Sequence, residues 1–125
     1  MEPGELLTEV IVPAVRTGSR SVYLKFLPRT EDDYATVAVA AQAELSNGVC
    51  RGLRIAIGAA GPTPIHATAV ERELEGRTVT PEGIRRAAEA VAGQVDPLDD
   101  FRGSSAYKRD VAVVFTRRAL ERVLS

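Results

Sequence analysis

The first half of the chain carries patterns that are typical of β-strands. The run Glu5–Val12 is rich in apolar and β-branched residues and stops at Pro13. In the run 21–27 apolar and polar positions alternate, so that one face carries Val22, Leu24 and Phe26. A period of two places alternate side chains on the same face of a strand, and the apolar face is the one that becomes buried. Both runs are therefore predicted to be strands.

The clearest pattern is a β-hairpin around the turn Ser46-Asn47-Gly48. Asn and Gly accept the positive φ that a tight hairpin turn needs. The strand before the turn has an apolar face made by Val37, Val39, Ala41, Ala43 and Leu45. The return strand repeats the alternation with Leu53, Ile55 and Ile57. Two glycines and two prolines in Gly58–Pro64 then interrupt the pattern, and this segment is interpreted as the connection to the helices.

Beyond this connection the apolar period becomes that of helices. Thr68 and Glu71 have the spacing of a capping box, and Gly76 can end the helix that they begin. Thr80-Pro81 marks a second helix start, which is followed by an apolar stripe of Ile84, Ala87, Ala88, Val91 and Val95. Ser104 or Ser105 can cap a last helix. Its buried stripe is predicted to be Tyr107, Val111, Val114, Phe115 and Val123.

Strands followed by helices favour an α+β fold over an alternating α/β order. The predicted architecture is a two-layer sandwich, in which an antiparallel β-meander of three or four strands is followed by three α-helices. The length of 125 residues suits one domain. Because no repeat or linker divides the sequence, residues 1–125 are predicted to form a single domain.

Charge and cysteine content narrow the classes of function. Sixteen basic and seventeen acidic residues give a net charge of -1, which favours neither nucleic acid nor an anionic membrane as partner. No apolar run reaches the ~18 residues of a membrane helix. The single cysteine, Cys50, suits a reducing compartment, and the cytoplasm is the expected location. One Cys and one His, His66, cannot form a Cys/His zinc site, and neither catalytic residues nor a metal site are predicted.

Several segments resemble one known family in their order and spacing. Tyr23–Arg29 (YLKFLPR) precedes Asp32-Asp33, and Ile57–Pro64 (IGAAGPTP) and Asp100–Arg109 (DFRGSSAYKR) follow. Together they resemble the C-terminal domain of the FAD-binding medium subunit of molybdenum hydroxylases, the carbon monoxide dehydrogenase and xanthine dehydrogenase family. The resemblance covers nearly the whole chain. It implies an accessory domain of a flavoprotein oxidoreductase that is not catalytic alone.

The resemblance also implies a cofactor-binding site. In this family the loop after the first strand lies beside the flavin ring of FAD, so Lys25, Arg29 and Asp32 are expected on the flavin side. Tyr34 ends the loop and can stack on an aromatic ring. A cation such as Lys25 or Arg29 near the flavin stabilises its reduced anionic form and raises its potential, whereas Asp32 does the opposite.

The implied partners are a FAD-binding domain or subunit and the molybdenum and iron–sulfur subunits of the complex. Electrons would pass from the molybdenum centre through iron–sulfur clusters to FAD, and from FAD to an acceptor. The family's FAD-binding domain precedes this region and carries Gly-rich pyrophosphate loops, which this sequence lacks. FAD is therefore not expected to bind to this chain alone. The chain is expected to be either a separately encoded subunit or an excised piece of a longer protein.

Other interpretations stay open at this point. The chain can be a free-standing interaction or assembly module that kept the fold but meets no flavin. The charged loop from Lys25 to Asp33 can be a solvated hairpin loop with a surface ion pair. Tyr34 can pack against the sheet edge, and His66 and Cys50 are interpreted as structural residues.

Overall fold

A computed structural model describes residues 2–27 and 34–125. Four strands form one antiparallel sheet in chain order: Ser19–Phe26 (β1), Val37–Ser46 (β2), Val49–Gly58 (β3) and Ile65–His66 (β4). Three α-helices follow: Thr68–Leu74 (α1), Pro81–Glu89 (α2), which a 3₁₀ turn at Ala90–Gly93 continues, and Ser105–Val123 (α3). The predicted α+β meander followed by three helices is confirmed.

The helices cover one face of the sheet and leave the other face open. Helix α1 contacts β3, α3 contacts β1 and β2, and α2 packs against α1 and α3. The covered face carries the apolar residues of the predicted strands, among them Leu24, Val37, Val39, Ala41, Leu53, Ile55 and Ile57, all of which are buried. The residues between them, such as Tyr23, Lys25, Arg54 and Ala56, point to the open face and are exposed. The alternation of the sequence therefore separates a core face from an outer face.

The hairpin turn forms as predicted, since Asn47 and Gly48 both have positive φ, 49° and 76°. The register between β2 and β3 shifts near Gln42, which marks a β-bulge. Leu45 was predicted on the buried face, but this is wrong, because its side chain is 40% exposed. It lies beside the exposed turn.

Two of the three predicted helix caps are confirmed. The Thr80 hydroxyl accepts a hydrogen bond from the Gly83 amide at 3.0 Å at the start of α2. Ser104, rather than Ser105, caps α3 by accepting the Tyr107 amide. The capping box predicted for α1 is wrong: the N-cap position is Ala67, and no side chain caps it. Glu71 binds other partners instead, which are described below.

Helix α3 buries a stripe that overlaps the predicted one at Val111 and Val123 but differs at its other positions. Tyr107 and Val114 are 45% and 36% exposed, and Phe115 is only partly buried. The buried face consists of residues that repeat at helical spacing, namely Lys108, Val111, Ala112, Thr116, Ala119, Leu120 and Val123. Several of these side chains are small, so the helix can lie close to the sheet. Prediction from hydrophobicity favoured Tyr107 and Val114 and missed the small and polar residues of the buried face.

The apolar run Glu5–Val12 does not form the predicted strand. It has no regular secondary structure, and Leu6, Val10 and Ile11 are 83%, 73% and 80% exposed. β-Propensity reports mainly packing against neighbouring strands. Within the described residues no strand pairs with this run, so the packing that would stabilise it as a strand is missing.

The two edges of the sheet are treated differently by the fold. Beside β4, the outer edge of β3 is closed by groups from α1 and the segment that follows it: the Glu75 carboxylate accepts the amides of Gly52 and Leu53, both at 3.0 Å. Cys50 donates its amide to the Arg77 carbonyl and accepts the Gly76 amide. At the opposite edge, no described strand pairs with the outer side of β1. These groups block the addition of a further strand at β3, whereas no described strand covers the outer side of β1.

Candidate functional site

Two of the predicted cofactor-binding residues lie in the described part of the chain, one on each side of residues 28–33. Lys25 lies near the end of β1, opposite Ala38 of β2, and its side chain is exposed on the open face of the sheet. Tyr34 precedes β2 and is 81% exposed, so the alternative that it packs against the sheet edge is not supported. Arg29 and Asp32 lie outside the described residues.

Tyr34 belongs to an exposed aromatic cluster that sequence reasoning did not predict. The guanidinium carbon of Arg102 lies 5.7 Å from the centre of the Tyr34 ring and 4.4 Å from that of Phe101. Phe101 is 69% exposed. We call Tyr34, Phe101 and Arg102 the loop-end cluster. Its cation and flat aromatic faces form a surface on which another planar group can stack.

Hydrogen bonds to Asp100 hold the turn that carries Phe101 and Arg102 of the loop-end cluster. The Asp100 carboxylate accepts the Arg102 amide at 2.7 Å and the Lys108 ammonium at 2.8 Å. The hydrogen bond from Lys108 holds the pKa of Asp100 below its ordinary value. At Gly103, φ is +141°, and a Cβ there would lie 2.6 Å from the Tyr107 ring. The positive φ and this close contact favour glycine over any other residue at position 103.

A concave surface lies on the open face of the sheet. Its floor is formed by the small side chains of Ala40 and Ala56, which are neighbours on β2 and β3. Tyr23 forms one wall, Pro64 and His66 form the other, and Gln42 and Arg54 lie at one end. We call this surface the sheet trough. Its volume is about 680 Å³.

The wall of the trough is connected to the core through Glu71. This carboxylate is buried and accepts the Ile55 amide at 3.0 Å and a ring nitrogen of His66 at 2.7 Å. Its second oxygen lies 3.7 Å from the Arg54 guanidinium. This contact holds the His66 ring in the wall of the trough and is consistent with the structural role expected for it. The separation of five residues between His66 and Glu71 was the available sequence signal.

Cys50 was the other residue considered for reactivity, and it lies apart from the trough. Cys50 is fully buried in β3, and burial raises the pKa of its thiol to about 11, with a smaller contribution from the Glu75 carboxylate. The thiol is therefore protonated and unreactive at neutral pH. The described residues contain no group of three or more His, Cys, Asp or Glu that could hold a metal ion. Within the same ranges, no helix is both long and apolar enough to cross a bilayer.

This geometry describes a small α+β domain that presents one open sheet face and an aromatic cluster at Tyr34, Phe101 and Arg102. The family model of the CO dehydrogenase flavoprotein C-terminal domain matches residues 22–123. The chain belongs to this family, and the resemblance stated from the sequence is confirmed.

Curated relatives and solved structures agree with the family match. The chain is 34% identical to the glyceraldehyde dehydrogenase medium chain of Sulfolobus acidocaldarius, over 96% of this chain and 42% of that protein. It is also 34% identical to the carbon monoxide dehydrogenase medium chain of Afipia carboxidovorans, over 98% and 42%. A carbon monoxide dehydrogenase structure from Hydrogenophaga pseudoflava superposes with a TM-score of 0.85 at 35% identity, covering 90% of this chain and 39% of that one. The chain thus spans about two-fifths of the length of these proteins.

Proposed function

We propose that the chain is the accessory domain of a FAD-binding oxidoreductase subunit of the molybdenum hydroxylase type, in which it covers the flavin and assists electron transfer and subunit assembly. The observation that carries this proposal is the family match over residues 22–123. It is supported by medium-chain relatives that align with nearly the whole chain. The partners are a FAD-binding domain or subunit and the molybdenum and iron–sulfur subunits of such a complex, in the cytoplasm.

The residues beside the 28–33 loop suit the edge of a flavin ring. Lys25 is an exposed cation that makes no ion pair with the described residues, so its charge is available to a cofactor. Tyr34 offers an exposed aromatic face. A bound flavin would supply the electron-transfer chemistry. Lys25 and, on the loop, Arg29 would stabilise negative charge on it, while Asp32 would oppose this effect.

The chain does not have the sequence features that commonly bind the pyrophosphate of FAD. Binding of a pyrophosphate commonly uses a Gly-rich loop at the start of a helix. The sequence has no such motif, and α1, α2 and α3 begin with Thr68, Pro81 and Ser105 instead. We therefore propose that this domain shares the flavin with a separate FAD-binding domain and does not hold FAD by itself.

The test is to reconstitute the chain with its FAD-binding partner and to measure the flavin midpoint potential of the Lys25→Ala variant. A unit charge a few ångströms from the flavin interacts with it by ~1–4 kcal/mol, depending on the effective dielectric constant. Lys25→Ala should therefore lower the potential. Arg20→Ala is the matched control, because Arg20 is an exposed cation on the same strand whose side chain points to the opposite face. Equal potentials in wild type and both variants would contradict a flavin-side role for Lys25.

A second measurement tests the division of the FAD site. The isolated chain is titrated with FAD and the flavin fluorescence is followed. We expect no binding at micromolar FAD, and a dissociation constant of about 1 μM or below would contradict the proposal.

The alternative function is an assembly module of the same fold that does not meet a flavin. The open sheet trough and the exposed apolar run Glu5–Val12 favour it, since both are surfaces that suit protein partners. Under this alternative, the chain binds its partner while the flavin potential is unaffected by Lys25→Ala.

A further inference from the structure

The open face of the sheet does not have the composition of a face that remains in water. On an antiparallel sheet with one solvated face, the outward positions are commonly polar. Here four adjacent outward positions on the two central strands are small and apolar, namely Ala38, Ala40, Ala56 and Gly58, and the polar residues Gln42 and Arg54 follow them toward one end. Larger outward side chains flank this small-residue patch on the outer strands, with Tyr23 and Lys25 on β1 and His66 on β4.

This distribution of sizes makes the face concave. Tyr23, Ala40, Ala56 and His66 lie in one row across the four strands. With ~4.8 Å between neighbouring strands, Tyr23 and His66 are roughly 14 Å apart at the backbone. An α-helix with its side chains is ~10–12 Å wide. A trough of this width, with two methyl groups as its floor, therefore has room for one regular element of a protein partner.

One wall of the trough carries an exposed tyrosine, and the other wall is held in place by a buried carboxylate. Tyr23 is 64% exposed, and Tyr is a side chain that often contributes strongly to protein interfaces. On the other wall, the buried Glu71 carboxylate fixes His66 and holds Arg54 near it. Fixed side chains lose little conformational entropy when a partner binds.

The basic side chains around the trough are more exposed than the acidic one. Arg54 has 62% of its side chain exposed and His66 has 59%, whereas the carboxylate between them, Glu71, has only 11%. Lys25 adds a cation one row away, beside Ala38. A partner that places an apolar element in the trough is therefore complementary if its flanking residues are acidic.

We propose that the sheet trough is the surface on which this domain docks against the flavin-binding part of a medium subunit, with an apolar element in the trough and acidic groups facing Arg54 and His66. This inference rests on the proposed function. The occupant follows from length, because the chain spans about two-fifths of its medium-chain relatives, and the remainder of those proteins is large enough to cover the face.

The experiment co-expresses the tagged chain with the flavin-binding part and measures how much of that part and of FAD is recovered with the tag. Ala56→Arg fills the floor of the trough from an exposed position, so the fold should be retained. We expect recovery to fall roughly tenfold or more. Tyr23→Ser removes the opposite wall and should reduce recovery several-fold. Val114→Arg is the matched control, since Val114 is partly exposed on α3 in the helical layer, and its recovery should equal that of wild type.

Each outcome separates the two proposals. If wild type recovers no flavin-binding part, both the proposed function and this inference are wrong. If Ala56→Arg and Tyr23→Ser keep their thermal midpoints and recover as much as wild type, the inference is wrong while the proposed function stands. A wild-type chain that forms a dimer by light scattering, and that Ala56→Arg makes monomeric, would show that a second copy occupies the trough and would also overturn the inference.

Recovery at increasing salt tests the acidic character of the partner. Screening weakens contacts between exposed charges. We therefore expect recovery with wild type to decrease between low and high salt, and the decrease to be smaller for Arg54→Gln. Recovery that does not respond to salt would contradict the acidic partner.

Discussion

The two faces of the sheet are built from the same strands but serve different purposes. Under the helices, the central strands carry Val39, Ile55 and Ile57, whose exposed fractions are 1% or less. On the open face, the intervening positions carry Ala40 and Ala56. Large apolar side chains fill the space between the sheet and the helices. Small side chains on the open face leave room for an element of a protein partner. The comparison indicates that the inward residues of the strands stabilise the fold, and that the outward residues form the surface proposed to contact a partner.

The largest expected effect is a difference in the free energy of unfolding between substitutions on the two faces. Ile57 is fully buried under the helices, so Ile57→Ala should lower the free energy of unfolding by ~2–5 kcal/mol through lost burial and a cavity. Tyr23→Ala removes a larger side chain from the open face, and its cost should stay near ~0.5 kcal/mol. Urea unfolding followed by circular dichroism measures both. Similar losses in the two variants would mean that the open face is also part of the core.

The next effect concerns the link between the faces. Glu71→Ala leaves the buried Ile55 amide without its acceptor and releases His66 from the wall of the trough. We expect a loss of ~1–3 kcal/mol in the free energy of unfolding. Glu82→Ala is the control, because Glu82 forms only an exposed ion pair with Arg85 at 3.0 Å, which should contribute less than ~1 kcal/mol. If the two alanine variants unfold at the same urea concentration, Glu71 does not connect the faces energetically.

The last prediction concerns the pH dependence of stability that the buried Cys50 thiol causes. Burial raises the pKa of the Cys50 thiol from 9.0 to about 11, so folding favours the protonated thiol. Its contribution to stability is complete below pH 9.0 and is lost as the pH rises to about 11. Cys50→Ala should therefore flatten the decline of the thermal midpoint between these pH values. A thiol reagent at pH 8 should react with the native chain much more slowly than with the unfolded chain, and equal rates would place Cys50 at the surface.

Local signals predicted those parts of the fold that depend on neighbours in the chain. The Asn47-Gly48 turn and the Thr80 cap formed as expected, because both depend on a few adjacent residues. The run Glu5–Val12 failed as a strand because a strand needs a partner, and the sequence does not show whether one is present. Glu71 failed as a capping residue because a distant strand offered its carboxylate a better set of donors.

The site was predicted only in part for a related reason. The charges and the aromatic ring near the loop were visible in the sequence, and Lys25 and Tyr34 are indeed exposed. The contact of Arg102 with Tyr34 joins residues that are far apart in the sequence, and no local pattern predicts it. The trough was also missed, since alternation predicts that a strand has two faces but not which neighbouring element leaves one of them uncovered.

The order of the strands along the sheet has a consequence for the rate of folding. In the sequence β1-β2-β3-β4, every strand pairs with its neighbour in the chain, and the two-residue turn makes the β2–β3 hairpin a short-range event. Helix α3, in contrast, contacts β1 and β2 from the far end of the chain. Closing such a long loop carries the larger entropic cost and slows folding. We therefore expect the meander to form early and the docking of α3 to complete the folding reaction, so that mutations at the α3–sheet contact accelerate unfolding more than they slow folding.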